Sequence, residues 1–278
     1  MALTISNGFV YIDGKKHVTR LVQTDQAGHW YTAEGESAHT VMGKNGKFRN
    51  TTVADARKML LYPSVTSILS ILDKPQLTSW KIEQAIMSSL TLPKEENETL
   101  EDYSRRVVKD SKESTTKAAQ HGTLMHEEAE NILMGRDTTT DPILQPYIAT
   151  FKKWAEENVE KTYWCEKALV GAGYAGRCDA YVKLRGVGDA IVDLKNRKVN
   201  PKYEPFYDTD CAQIFAYLSA SENPKAAGVS IVLASNDPSK IMTKVWDKDE
   251  LYQAGIAFCA MQKVWSWVKG YTPPGMKL

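Results

Sequence analysis

The hydrophobic period of this chain changes from helical to strand-like near residue 160, and that change restricts the fold more than any other feature. Before it, apolar residues recur at helical spacing from Ser64 to Leu72, from about Gln76 to Leu90, from Thr123 to Met134 and from Pro142 to Glu160. Beyond it come short strand-like runs: Tyr163 to Val170, Arg177 to Leu184, Ala190 to Leu194, Gly228 to Ala234 and Ile241 to Trp246. A helix, Asp208 to Ala220, separates the third run from the fourth, and another, Lys248 to Lys269, closes the chain. The predicted order is therefore helices, three strands, helix, two strands, helix. That order is α/β, a mixed central sheet flanked by helices in which the first three strands form a meander.

Three regions are expected along the chain. Residues 1–55 read as a small β-rich appendage, with turn signals at Tyr11-Ile12-Asp13-Gly14-Lys15 and Gly43-Lys44-Asn45-Gly46-Lys47. Residues 56–120 read as a helical arch or lid, in which Ser64 is an N-cap, Leu92-Pro93 interrupts a helix, and 98–120 is highly charged with few apolar positions. His121-Gly122 marks a break before the core, 121–278. In the 142–160 helix, Ile143, Tyr147, Phe151 and Trp154 are expected in the core.

Composition narrows the class. A chain of 278 residues with 42% hydrophobic content builds a sizeable core, and no apolar run is long enough to span a bilayer. Four scattered cysteines, Cys165, Cys178, Cys211 and Cys259, form no Cys-x-x-Cys pair and suggest no iron–sulfur cluster, so a reduced, cytoplasmic setting is expected, with no membrane partner. The net charge of +1 argues against wholesale gripping of nucleic acid by a basic tail. Two local clusters remain: Arg105, Arg106, Lys109, Lys112 and Lys117, and Lys195, Arg197, Lys198 and Lys202. A solvated face is the plain reading of either, but the second adjoins the chemistry.

Asp-x-Lys occurs three times, and only context separates the copies. Asp13-Gly14-Lys15 is a hairpin turn, and Asp110-Ser111-Lys112 lies in a charged helical stretch where i and i+2 do not share a face. Asp193-Leu194-Lys195 ends an apolar strand, where alternation puts carboxylate and ammonium on one side. Such a pair can hold a divalent cation beside an attacking water. Asp179 follows the Gly-rich bend Gly171 to Gly176 and offers a second carboxylate; alone it reads equally as an aspartate after a hairpin. His126 and Glu130 are i and i+4 on one helix face, so imidazole and carboxylate can converge on a metal, or the glutamate can orient the ring. Gln213 and Tyr217 have the same spacing just after the Asp-x-Lys strand. They can bind phosphate oxygens or a water, or form a half-buried helix face.

Gly122-x-x-x-His126, Gly176-x-x-Asp179, Asp193-Leu194-Lys195 and Gln213-x-x-x-Tyr217, in this order, resemble the PD-(D/E)XK nucleases of the RecB-like branch, which includes the mitochondrial genome maintenance exonuclease and phage exonucleases. Pro63-Ser64-Val65-Thr66 and Leu77-x-x-Trp80 resemble the helical region before the core in those members, so the likeness spans roughly 60–250. It implies a restriction-endonuclease-like core. It also implies that His126, Asp179, Asp193 and the Leu194 carbonyl ligate Mg²⁺ or Mn²⁺, with Lys195 beside the nucleophilic water and Gln213 and Tyr217 in support. Arg177 and Glu130 are further supporting candidates. The four-cysteine iron–sulfur cluster of some members is not carried over, because the cysteine pattern differs. The activity implied is a metal-dependent DNA exonuclease acting from a free, single-stranded end, in the cytoplasm of a cell or of a phage host. Trp80 or Tyr103 is available for base stacking. A structure-selective endonuclease on the same core and an inactive nucleic-acid-binding module are the alternatives, and the intact Asp179, Asp193 and Lys195 set argues against the module.

Overall fold

The structure, a computed structural model, describes residues 3–6, 9–12, 15–17, 29–73 and 75–277. Its centre is a five-stranded sheet of β8 (Val159–Gly171), β9 (Tyr174–Leu184), β10 (Gly188–Arg197), β11 (Ala227–Ala234) and β12 (Ile241–Trp246), in the order β12-β11-β10-β9-β8. The meander β8-β9-β10 is antiparallel, as its short connections require. β10 and β11 are parallel, and helix α6 (Asp208–Ala220) makes the crossover between them. β12 returns antiparallel to β11.

Both faces of the sheet are covered, which explains why β10 reads as a nearly continuous apolar run. On one face Ile191 packs with residues of α6, of α7 (Lys248–Lys269) and of the short helix α2 (Val65–Leu69). On the other, Val192 and Leu194 pack with Met125 and Ala129 of α4 (Leu100–Leu133) and with Ile148 and Phe151 of α5 (Gln145–Asn158). Ser64 caps α2, its hydroxyl accepting from the Ser67 N–H at 2.9 Å. Asp247 caps α7 in the same way, and Gly270 ends that helix in the left-handed conformation.

Among the described residues the β-rich amino-terminal region holds three small sheets: β1 (Leu3–Ser6), β2 (Phe9–Ile12) and β3 (Lys15–His17); β5 (Thr40–Met42) with β6 (Phe48–Asn50); and β4 (Trp30–Tyr31) with β7 (Tyr62–Pro63). Ile12 pairs with Lys15 across the expected Asp13-Gly14 turn, which itself lies outside the described residues. From residue 29 onward this region is built into the main core. Trp30 is 3% exposed and meets Trp265 of α7 and Tyr271 at ring separations of 5.9 and 6.1 Å. The boundary expected at residue 55 therefore does not divide the core.

Two local expectations are corrected. His121-Gly122 does not break the helix: α4 runs uninterrupted for 34 residues, because one interior glycine costs only about 1 kcal/mol relative to alanine and the carboxyl-terminal half is held by packing on the sheet. Ile143 is exposed, since α5 starts only at Gln145 and Ile143 precedes the helical repeat; Leu144 and Ile148 take the core positions beside Phe151. Helix α3 (Pro75–Thr91) packs against the outer half of α4 and completes the helical region.

Candidate active site

Strands β9 and β10 pair only as far as Ala180 opposite Val192, and the site opens just beyond. There the Leu194 N–H donates to Asp179 Oδ2 at 2.6 Å, so a backbone donor fixes Asp179 where the strands part. Asp193 and Lys195 share a side of β10, as alternation requires. The Lys195 ammonium lies 2.7 Å from Asp193 Oδ1 and 2.6 Å from Oδ2. Only the first contact has hydrogen-bond geometry, which leaves Oδ2, on a fully buried side chain, without a hydrogen-bond donor among the described residues. The ammonium charge 2.6 Å away nevertheless offsets the cost of burying that oxygen.

Helix α6 supplies the second layer. Gln213 Oε1 accepts from Lys195 Nζ at 3.2 Å, and Gln213 Nε2 donates to the Tyr217 hydroxyl at 3.0 Å. The two bonds fix the amide's orientation and tie Tyr217, Gln213, Lys195 and Asp193 into one chain. Tyr217 is seated by Gly176, where a Cβ would come within 2.9 Å of the ring's Cε1. The glycine of the bend is thus required by the close approach of α6.

From the other face of the sheet, α4 brings His126, whose Nδ1 stands 3.7 Å from Asp179 Oδ1, beyond hydrogen-bond length. Glu166 of β8 joins them: one ligand atom from each of His126, Glu166 and Asp179 lies within 4.8 Å of the others. Asp193 stands outside that group and is turned to Lys195, so His126, Asp179 and Asp193 do not form the single cluster expected of them. Glu166 escaped the sequence analysis because Cys165-Glu166-Lys167 carries no motif. Its place follows from strand register alone, between Cys165 opposite Ala180 and Lys167 opposite Cys178.

The electrostatics follow from burial and crowding. Burial pushes the Lys195 ammonium towards losing its proton, but the charges of Asp193 and Asp179 outweigh it and hold its pKa above the usual value. Burial, reinforced by Asp179, raises the Asp193 carboxyl despite Lys195. Asp179 is also pushed up by burial, yet His126, Lys195 and the Leu194 N–H bring it below the usual carboxylate range. His126 answers in kind, raised by Asp179 against burial. Burial and then the Asp179 charge push Glu166 up to about 7. Burial and the two aspartates keep the Tyr217 phenol protonated.

Several expected contributors have other partners. Glu130 accepts from Arg136 at 2.9 Å and is not placed as the orienter of His126. Arg177 lies 3.8 Å from Glu166. Arg197 is committed to Asp210 and the Pro205 carbonyl, all at 3.0 Å. Arg105 pairs with Glu101 and Asp102, and Arg106 with Glu98, so these guanidinium charges are balanced on the helical region itself. The Tyr103 hydroxyl donates to the Ser89 and Leu92 carbonyls at 2.6 and 3.0 Å, fastening α3 to α4. The Lys117 side chain lies outside the described residues.

Two carboxylates with one imidazole, from His126, Glu166 and Asp179, are a donor set that could hold a metal ion. No family model matches the chain, and no curated protein matches it. Among solved structures the chain is similar to one described as "Crystal structure of SSO0001", at 16% identity over 67% of this chain and 87% of that chain, with a TM-score of 0.28. A likeness of that size carries no argument about fold or activity.

Proposed function

We propose that the protein is a divalent-metal-dependent deoxyribonuclease that hydrolyses phosphodiester bonds from a free DNA end. The observation that supports this most is the Lys195 ammonium held between the buried Asp193 carboxylate and Gln213, beside the His126, Glu166 and Asp179 donor set. A cation held by Asp179 together with neighbouring donors of the fork, His126 and Glu166 on one side or Asp193 and the Leu194 carbonyl on the other, would neutralise charge on the scissile phosphate and acidify an attacking water. Lys195, whose proton the Asp193 and Asp179 charges help to hold, would donate a hydrogen bond to the attacking water and offset the negative charge that grows in the transition state. Gln213 aims that ammonium, and Tyr217 aims Gln213. No described helix is long and apolar enough to cross a membrane.

The requirement for a free end draws on α4. A single helix carries both the charged outer segment and His126, so a roof formed by that segment would be continuous with one of the site's ligands. A roofed channel admits a threaded strand end more readily than an uninterrupted duplex. End-labelled linear single- and double-stranded DNA, digested beside a covalently closed single-stranded circle, tests the reading. Stepwise products from the linear forms with an intact circle are expected. A cut circle moves the assignment to an endonuclease, and retained binding without any product moves it to a binding module.

A further inference from the structure

Helix α7 is apolar on the side turned away from the core as well as on the side that packs. From Tyr252 to Val268 its sequence contains a single charged residue, Lys263. Phe258, Met261 and Trp265 fill the core, yet Tyr252, Ile256, Val264 and Trp267 are 65%, 54%, 45% and 83% exposed. Cys259 and Ala260 lie exposed between them. The outer face of a surface helix is ordinarily polar, and a helix that is apolar all round is ordinarily covered all round. Among the described residues, nothing covers this face.

The face also has a pattern of size and charge. Asp249, Tyr252, Ile256, Ala260 and Lys263 follow one another at intervals of three or four residues and so form one row along the helix. Ile256 stands at its middle, with Tyr252 and Ala260 one turn to either side and Asp249 and Lys263 at the two ends. A groove runs beside the row, lined by Tyr252, Ile256, Cys259 and Phe215 of α6. Gly255 opens it, since a Cβ there would come within 2.5 Å of the Phe215 ring. Turned end for end about Ile256, the row complements itself: the large Tyr252 meets the small Ala260, and the Asp249 carboxylate meets the Lys263 ammonium. A parallel pairing would instead set aspartate against aspartate and lysine against lysine. We propose that a second copy of this chain covers α7, in an antiparallel helix pair whose two-fold axis passes at Ile256. The same pairing carries Trp267 to the first turn of the second copy's helix. With 22 residues α7 is about 33 Å long, so its face alone falls short of the roughly 800 Å² per partner of a standard interface. The dimer is therefore of micromolar strength. None of these residues lies at the fork, so the pairing stands apart from the nuclease reading.

Sedimentation equilibrium of the full chain from about 1 to about 300 µM tests the pairing. The wild type is expected to show a reversible monomer–dimer equilibrium with a micromolar Kd. Ile256→Glu, at an exposed position that the fold tolerates, should weaken it at least tenfold. Asp249→Lys and Lys263→Glu should each weaken it several-fold, because each sets like charges opposite one another across the axis. The protein carrying both reversals should recover the wild-type Kd, since the opposed signs are restored. Circular dichroism establishes that each variant is folded. A monomer at every concentration would overturn the proposal, as would a dimer that Ile256→Glu leaves intact. Double reversal that associates no more tightly than either single variant would overturn the antiparallel register about Ile256.

Discussion

Two glycines that each open a motif have different physical reasons for being glycine. A Cβ at Gly176 meets Tyr217 Cε1 at 2.9 Å and Val65 Cγ2 at 3.3 Å, with no room for either to yield inside the core. A Cβ at Gly122 meets only Asn196 Cβ at 3.9 Å, an ordinary contact. Gly176→Ala is expected to destabilise by about 1–3 kcal/mol through overpacking and to reduce turnover, because displacing Tyr217 frees the Gln213 amide. Gly122→Ala should raise stability by about 1 kcal/mol, the helix-propensity gain. Thermal melts of both proteins check the contrast; an equal response would mean that the Tyr217 contact does not govern Gly176. Glu166 gives a second case. Asparagine tolerates the left-handed backbone and removes the charge facing Asp179, so Glu166→Asn should raise the melting temperature in chelator by a few degrees, on the order of 1 kcal/mol. A lower melting temperature would show that the glutamate stabilises the metal-free fold.

At the scale of elements, what could be read from the sequence was what alternation or helical spacing expresses locally. Asp193 and Lys195 share a side because they are two apart in a strand, and Gln213 and Tyr217 share a face because they are four apart in a helix. Glu166 was illegible because only the β8–β9 register brings it to Asp179. Trp30 was illegible because a two-residue strand has no period, and its burial depends on α7 more than 200 residues away. The Gly122 break was misread because packing of α4 on the sheet outweighs a single unfavourable propensity. The small β4–β7 pair carries its own test. His39 Nδ1 accepts from the Trp30 N–H at 3.0 Å and its ring stacks on His29. Burial, then the His29 and Arg177 charges, lower its pKa to about 4. In the unfolded chain it titrates near 6.5, so between these values the unfolded state holds a proton that the folded state lacks. This stabilisation is complete above pH 6.5 and is lost as pH falls towards 4. His39→Gln, which can accept the same bond but does not titrate, should flatten that part of the stability–pH curve. Parallel curves for the two proteins would contradict it.

For the whole molecule, the α/β architecture explains why the centre lies where it does. Helices α4 and α6 cover opposite faces of the sheet, and β9 and β10 part between them, so His126 from one side reaches Asp179 and Gln213 from the other reaches Lys195 at one fork. Most of this plan followed from the order of elements, whereas the fork itself, where pairing stops at Ala180 and Val192, depends on tertiary packing and left no local signal. The central claim is that this fork hydrolyses phosphodiesters through a cation with Lys195 as the fixed positive charge. Its most direct test is single-turnover cleavage of end-labelled linear DNA by wild type and Lys195→Ala in chelator, in Mg²⁺ and in Mn²⁺. The account predicts no cleavage in chelator, recovery with either ion, and a Lys195→Ala rate lower by roughly 10²–10³ in both, with metal binding and fold retained. Wild-type cleavage that persists in chelator, or a Lys195→Ala rate matching the wild type, would contradict it.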